Sequence, residues 1–210
     1  MKRLSMLFVP LLLIAVSIVY AIDAREIIEN VQERYEDIND AVIEFSQSVR
    51  FKVSRAEQSI EGTLHFKKPK KYRIETAERT IVTDGTTSWS WNPSNQQLVV
   101  DNYKEETHAL SPEQLLLTYP KDYYSTLVGE EQLAGKSMYV LKLTPKEDNA
   151  FATAMKIWVS KDWLIRKVEI TDVNGAVTTY MIKKITVDQD IADVKFAYQV
   201  PDNAEVIDLR

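Results

Sequence analysis

From Ala41 onward the apolar residues of this chain recur at every second position, and that alternation decides most of what it can fold into. Ile43, Phe45, Val49 and Phe51 alternate with Glu44, Ser46, Ser48 and Arg50, with Gln47 the one polar residue on the apolar side. Ile60, Leu64 and Phe66 do the same against Glu61, Thr63, His65 and Lys67, and Pro69 ends the run. Tyr72 and Ile74 begin another strand. Residues 81–83, the pair Asp84-Gly85 and residues 87–91 read as a tight hairpin, and Asn92-Pro93-Ser94-Asn95 turns the chain into a strand over 96–100. Further strands are expected near 124–128, 138–143, 155–159, 165–171 and 177–185, with Asn174-Gly175 as a second hairpin turn and a last short strand near 196–200.

Helical spacing is rarer. Over 24–39, Ile27, Ile28, Val31, Tyr35 and Ile38 share one face, and Asp23 can cap the start with Glu26 in the capping-box position. Ser111-Pro112-Glu113, followed by Leu115, Leu116 and Leu117, reads as a short capped helix. Roughly ten short antiparallel strands therefore share two helices, and a sheet that wide does not stay flat. It must bend around its own apolar face as a barrel or open barrel with the helices at its mouth. The expected class is mainly β (α+β). Such an interior can exceed what its own side chains fill, so a ligand cavity is one reading and a filled core the other.

The N-terminus bounds the address. Lys2 and Arg3 precede an apolar run over residues 4–19, broken by Pro10 and shorter than the roughly 20 residues a membrane span needs. Val19-Tyr20-Ala21 supplies a cleavage site, so residues 1–21 are expected to be a cleavable signal peptide for the periplasm, and 22–210 one domain. No cysteine is present, so packing rather than disulfides must supply stability. The formal net charge is −5, and loss of Lys2 and Arg3 makes the remainder two charges more negative. That balance disfavours nucleic acid and standing attachment to anionic lipid.

Catalytic and metal motifs are missing from the sequence. The two histidines, His65 and His108, lack ligand-spaced partners, and Glu105-Glu106 and Glu130-Glu131 read as solvated charge. No metal, no cofactor and no enzyme activity are expected. The aromatics are more informative. Trp89 and Trp91 lie two apart and project from one face of a strand; Phe45, Phe51, Phe66, Tyr72, Trp158 and Trp163 add to the set. Rings that fill a core and rings that line an acyl-chain cavity look alike in sequence. The run Lys67-Lys68-Pro69-Lys70-Lys71 with Arg73 is either a solvated turn or positive charge at the barrel rim, placed to meet an acidic partner, a lipid headgroup or the helix that closes the mouth.

Several of these pieces occur together in order: the opening helix, Phe45-Ser46-Gln47, Gly62…Lys68-Pro69…Arg73, Asp84-Gly85…Trp89…Asn92-Pro93, and the Leu-rich helix before Tyr119-Pro120. In this the chain resembles the periplasmic outer-membrane lipoprotein carrier (LolA) family. The resemblance implies an open, strongly bent antiparallel half-barrel with a helical lid. It implies a monomeric carrier that takes lipoproteins from an inner-membrane ABC-type release complex, shields their acyl chains and delivers them to an outer-membrane receptor. The acyl-chain cavity is then expected from Ile43, Phe45, Val49, Leu64, Phe66, Tyr72, Ile74, Trp89, Trp91, Leu115 and Leu116. The lid is expected from Ile27, Ile28, Val31 and Tyr35. In the family an Arg before the Pro bonds lid backbone and holds the empty cavity shut; Lys68 stands there in this chain, and without Arg's fork of donors a Lys68 latch is built differently. The tail after Pro201 is short and acidic and is not expected to add a closing strand. The alternative is a half-barrel of the same kind that carries another lipid or senses lipoproteins and envelope stress.

Overall fold

The computed structural model describes residues 22–104, 123–146 and 152–210. The expected signal peptide, the helix with Leu115 and Leu116, and His108 lie outside those residues. Helix α1 spans Ala24–Asp37, and the Asp23 carboxylate accepts from the Glu26 backbone N–H at 2.8 Å, as a capping residue should. Twelve strands follow: β1 Asp40–Arg50, β2 Glu57–Lys67, β3 Lys71–Thr76, β4 Thr80–Thr83, β5 Thr87–Asn92, β6 Gln97–Asn102, β7 Tyr123–Leu133, β8 Lys136–Pro145, β9 Ala152–Ser160, β10 Ile165–Asp172, β11 Val177–Val187 and β12 Glu205–Asp208. They form one sheet in the order β12-β6-β5-β4-β3-β2-β1-β11-β10-β9-β8-β7. The two end strands do not pair with each other, so the sheet is open. The hairpin turns follow their sequence signals. Asp84 Oδ1 accepts from the N–H groups of Thr86 and Thr87, and Gly85 takes the left-handed conformation at φ +94°.

The sheet curls around α1. The helix has 14 residues, about 21 Å of length. It touches β7, and its C-terminal turn is bonded to the β2–β3 turn, six strand positions away, which in a flat sheet would be about 29 Å. Curvature closes that gap. Ile27 and Val31 of α1 then join Ile43, Phe45, Leu64, Phe66, Tyr72 and Ile74 from one half of the sheet, and Leu141, Met155, Ile157, Val168 and Tyr180 from the other, in one buried cluster. Gly62 makes room in that cluster, because a Cβ there would lie 2.7 Å from the Phe45 ring and 2.8 Å from the Glu75 carbonyl oxygen.

The convex face is covered by the C-terminal segment, where the structure departs from expectation. Residues 196–200 are not a strand. A 3-10 turn, Asp193–Phe196, lies against β3, and β12 then pairs parallel with β6, Val206 beside Leu98 and Ile207 beside Val99. The short acidic tail does add a strand, because the edge of β6 presents unpaired N–H and C=O groups that four extended residues are enough to satisfy. The segment between these anchors straps the convex side, where Val82, Leu98, Val100 and Phe196 are buried. Its start is tied down by Asp40, whose carboxylate accepts from the N–H groups of Gln189 at 2.8 Å and Ile191 at 3.1 Å.

The basic run around Pro69 is the strap's receptor. Lys67 and Lys71 reach Asp193 at 2.9 and 2.7 Å, and Lys195 reaches Glu75 at 3.2 Å. The two lysines' hydrogen bonds, Lys71's first, hold the Asp193 carboxyl down at about 2. Burial opposes charge on Glu75, but Arg73 and Lys195 outweigh it and keep that carboxyl below its usual range. Burial lowers His65, with Lys195 acting in the same direction and Glu75 against it.

Two outcomes follow from this packing. Gly62→Ala should cost about 1–3 kcal/mol, read as a lower midpoint in urea, because neither the Phe45 ring nor the backbone carbonyl can retreat freely. For Asp193 the folded value lies below the unfolded one, so its contribution is present above the ordinary carboxylate range and fades as pH falls through about 2. Asp193→Asn should therefore speed amide exchange in the strap near neutral pH, and the difference from the parent should vanish in strong acid.

Candidate functional site

Cross-strand register assigns every strand residue to a face, since directly paired residues point the same way. Phe45 pairs with Gly62, Ile43 with Leu64, Leu64 with Ile74, Phe66 with Tyr72, and Ile74 with Ile81. Val49, opposite Thr178, lies on the same concave side. The structure thus brings Ile43, Phe45, Leu64, Phe66, Tyr72 and Ile74 together in the cluster with α1, as the alternation predicts, while Val49 shares their face nearer the end of β1 and lies outside that cluster. Ile27 and Val31 are buried against them, and Ile28 and Tyr35 pack at the edge of the same cluster.

Trp89 and Trp91 do not join them. Trp89 pairs with Val82 and Val100, and Trp91 with Thr80 and Leu98, while Ser88 and Ser90 take the concave side. Both rings project from the convex face, on the side crossed by the strap. The physical reason is parity. The Asp84-Gly85 hairpin sets Val82, not Ile81, opposite Trp89, and a register of that parity sends both tryptophans to the far side. Trp158 is also convex. It packs with Met138 and Val140, donates from Nε1 to Glu131 at 2.8 Å, and carries Lys167 above its ring at 4.0 Å.

On the concave face the apolar floor opens into a groove of about 370 Å³, lined by Phe45, Gln47, Ile60, Ile74, Thr76, Glu78, Arg79, Ile81 and Asn92. That volume lies in the range of small-molecule sites. Ile60 and Ile81 are groove residues that the sequence assigned to strands but not to a site; their parity with Leu64 and Ile74 was the available signal. The groove opens at the end where β1–β2, β3–β4 and β5–β6 turn, away from Lys68. Deeper in, burial pushes the Tyr72 hydroxyl well above the usual phenol range, with Tyr103 close by in an edge-to-face contact at 6.3 Å.

At the opposite end Lys68 holds the helix. Its Nζ donates to the backbone carbonyls of Tyr35 at 3.1 Å and Glu36 at 2.5 Å, the last turn of α1, where the helix dipole favours a cation. Its own backbone N–H donates to the Asn39 carbonyl at 2.9 Å. No group of three or more His, Asp or Glu with metal-binding geometry occurs among the described residues.

Among the described residues the protein is an open, strongly bent sheet, antiparallel but for β12, whose apolar concave face packs against one tethered helix. The chain belongs to the family described as outer membrane lipoprotein carrier protein LolA, whose model matches residues 36–199. It is similar to the outer-membrane lipoprotein carrier protein of Haemophilus influenzae, 27% identical over 100% of this chain and 99% of that protein. It is likewise similar to that of Haemophilus ducreyi, 25% identical over 100% and 97%. Among solved structures, an uncharacterized conserved protein from Thermus thermophilus shares the fold at a TM-score of 0.59 and 14% identity, covering 88% of this chain and 98% of the other. LprF from Mycobacterium bovis does so at 0.50 and 8%, covering 87% and 97%.

The two bonds from Lys68 make a direct expectation. Lys68→Met should loosen the C-terminal turn of α1 by about 1 kcal/mol, an exposed charge-assisted pair of bonds, seen as faster amide exchange over α1. Lys68→Arg, which can still donate to both carbonyls, should restore protection.

Proposed function

We propose that the protein is a periplasmic lipoprotein carrier that binds the acyl chains of its cargo on the concave face. The observation that carries this reading is the groove continuous with the buried floor of Phe45 and Ile74, at the free end of a sheet whose other end is clasped to α1. Phe45, Ile60, Ile74 and Ile81 supply apolar contact of about 0.8 kcal/mol per buried methylene, while Gln47, Thr76, Glu78, Arg79 and Asn92 make the rest of the groove lining polar. As cargo fills the face, α1 swings out on the side away from β7, and the Lys68 bonds to Tyr35 and Glu36 act as the latch that must yield. A latch of two single-donor bonds is weak, so lid opening is driven by modest differences in acyl contact and the cargo can be released again. The family membership supports an exchange in which lipoproteins come from an inner-membrane ABC-type release complex and pass to an outer-membrane receptor.

Two substitutions separate the faces. Ile81→Glu puts a charge on the groove wall and should abolish uptake of lipoprotein, measured as soluble complex released from proteoliposomes. Trp89→Gln, on the neighbouring strand but on the convex face, should leave uptake within about twofold of the parent, since a convex side chain touches no concave ligand. Unchanged uptake by Ile81→Glu, in protein of normal thermal stability, sinks the cavity assignment.

A further inference from the structure

We propose that the tip of the β1–β2 hairpin, with the β10–β11 turn beside it, is a docking element for an anionic lipid bilayer surface. β1 ends at Arg50 and β2 begins at Glu57, so residues 51–56 stand beyond the paired strands. The side chains there are of the wrong kind for water alone. Val53 is 95% exposed and Phe51 39%, and Val173 on the neighbouring turn is 66% exposed. The two turns sit side by side, because the Lys52 side chain lies over Gly175, where a Cβ would come within 2.8 Å of its Cδ.

Charge says what covers this tip. Arg50, Lys52 and Arg55 surround the apolar residues, with Glu57, opposite Arg50, as the one carboxylate of the hairpin end. Asp172 of the second turn is engaged by the N–H groups of Asn174 and Ala176. These three cations outnumber the two carboxylates, Glu57 and Asp172, in a chain of net charge −5. Aliphatic and aromatic side chains flanked by Arg and Lys match a bilayer interface, where apolar groups enter the acyl boundary and cations meet phosphates. A protein partner fits less well, since residues 51–56 and one neighbouring turn are far fewer than the roughly 20–30 residues a side of a stable interface. The tip is also preformed. Phe51 N–H donates to the Ala56 carbonyl and Arg55 N–H to the Phe51 carbonyl, each at 3.0 Å, so ordering it on a membrane costs little.

The tip stands at the open end of the groove, next to Gln47 and Ile60, so docking would turn that opening toward the bilayer. The negative charge elsewhere keeps the contact transient. This inference does not depend on the carrier reading, because an empty protein should dock as well as a loaded one.

The experiment is co-sedimentation of the protein, recovered from cells expressing the full chain and with its N-terminus confirmed by intact mass. The probes are phosphatidylethanolamine–phosphatidylglycerol vesicles and vesicles of phosphatidylcholine alone. Binding to the anionic vesicles only, weakening as salt rises, is expected. Val53→Asp should abolish it, and Lys52→Ser and Arg55→Ser should each lower the affinity about fivefold. These side chains are exposed or at the chain's turn, so circular dichroism and thermal midpoints should match the parent. Val173→Asp offers a second probe on the other turn. Equal binding to both vesicle types, no binding to either, or variants that bind like the parent would overturn the proposal. Loss of cargo transfer to a protein acceptor by Val53→Asp, with no vesicle binding by the parent, would reassign the tip to protein docking and also overturns it. Loss of uptake in Ile81→Glu with vesicle binding intact keeps the groove and the tip apart.

Discussion

Among the described residues a single sheet of twelve strands has two faces and no second sheet to cover either, and their packing is arranged around that constraint. An apolar face left in water forfeits its burial free energy, about 25 cal/mol per Å². Among the described residues, one helix serves the concave side and one C-terminal strap serves the convex side at the β3–β6 end. Their anchors meet at one corner. Asp40, just after α1, grips Gln189 and Ile191 at the start of the strap, and the β2–β3 turn supplies Lys68 to the helix and Lys67 and Lys71 to the strap.

The asymmetry of those two covers suits them to different tasks. The strap is held by a strand pairing, a buried phenylalanine and several ion pairs, which together resist opening. The helix is held at its C-terminal end by two lysine hydrogen bonds and by the apolar contacts of Ile27 and Val31. Apolar contacts can be exchanged for equivalent contacts with a ligand, since they are non-directional, whereas a strand pairing has no such substitute. On the proposed carrier reading, the concave cover is the one that yields to an acyl chain.

The basic run shows how a local feature changes meaning in three dimensions. In sequence Lys67, Lys68, Lys71 and Arg73 form one positive cluster. In the structure the alternation of a strand divides it. Lys67, Lys71 and Arg73 face the convex side and engage Asp193, Glu75 and the Lys195 carbonyl, while Lys68, in the turn, reaches round to α1. The rim reading anticipates a contact with the covering helix, which Lys68 makes, but not that Lys67, Lys71 and Arg73 are turned to the strap instead.

Much of the fold was legible because it rests on local rules. Period-two apolarity, the Asp84-Gly85 and Asn174-Gly175 turns, and the Asp23 cap each act within a few residues, and the strands and helix lie where those rules place them. The concave residues from Ile43 to Ile74 were legible for the same reason, as alternation is a property of each strand alone. What only the tertiary structure decided is which face each strand turns inward. Trp89 and Trp91 share a face with each other by local geometry, but the concave face is defined by pairing with β4 and β6, and that pairing sends them outward. The strap was illegible likewise, because a parallel strand formed with β6 across the length of the sheet leaves no periodic trace in four residues of Glu, Val, Ile and Asp. Lys68 lies between: its position was visible beside Pro69, but the two carbonyls it binds are more than thirty residues away, brought there by the curl of the sheet around α1.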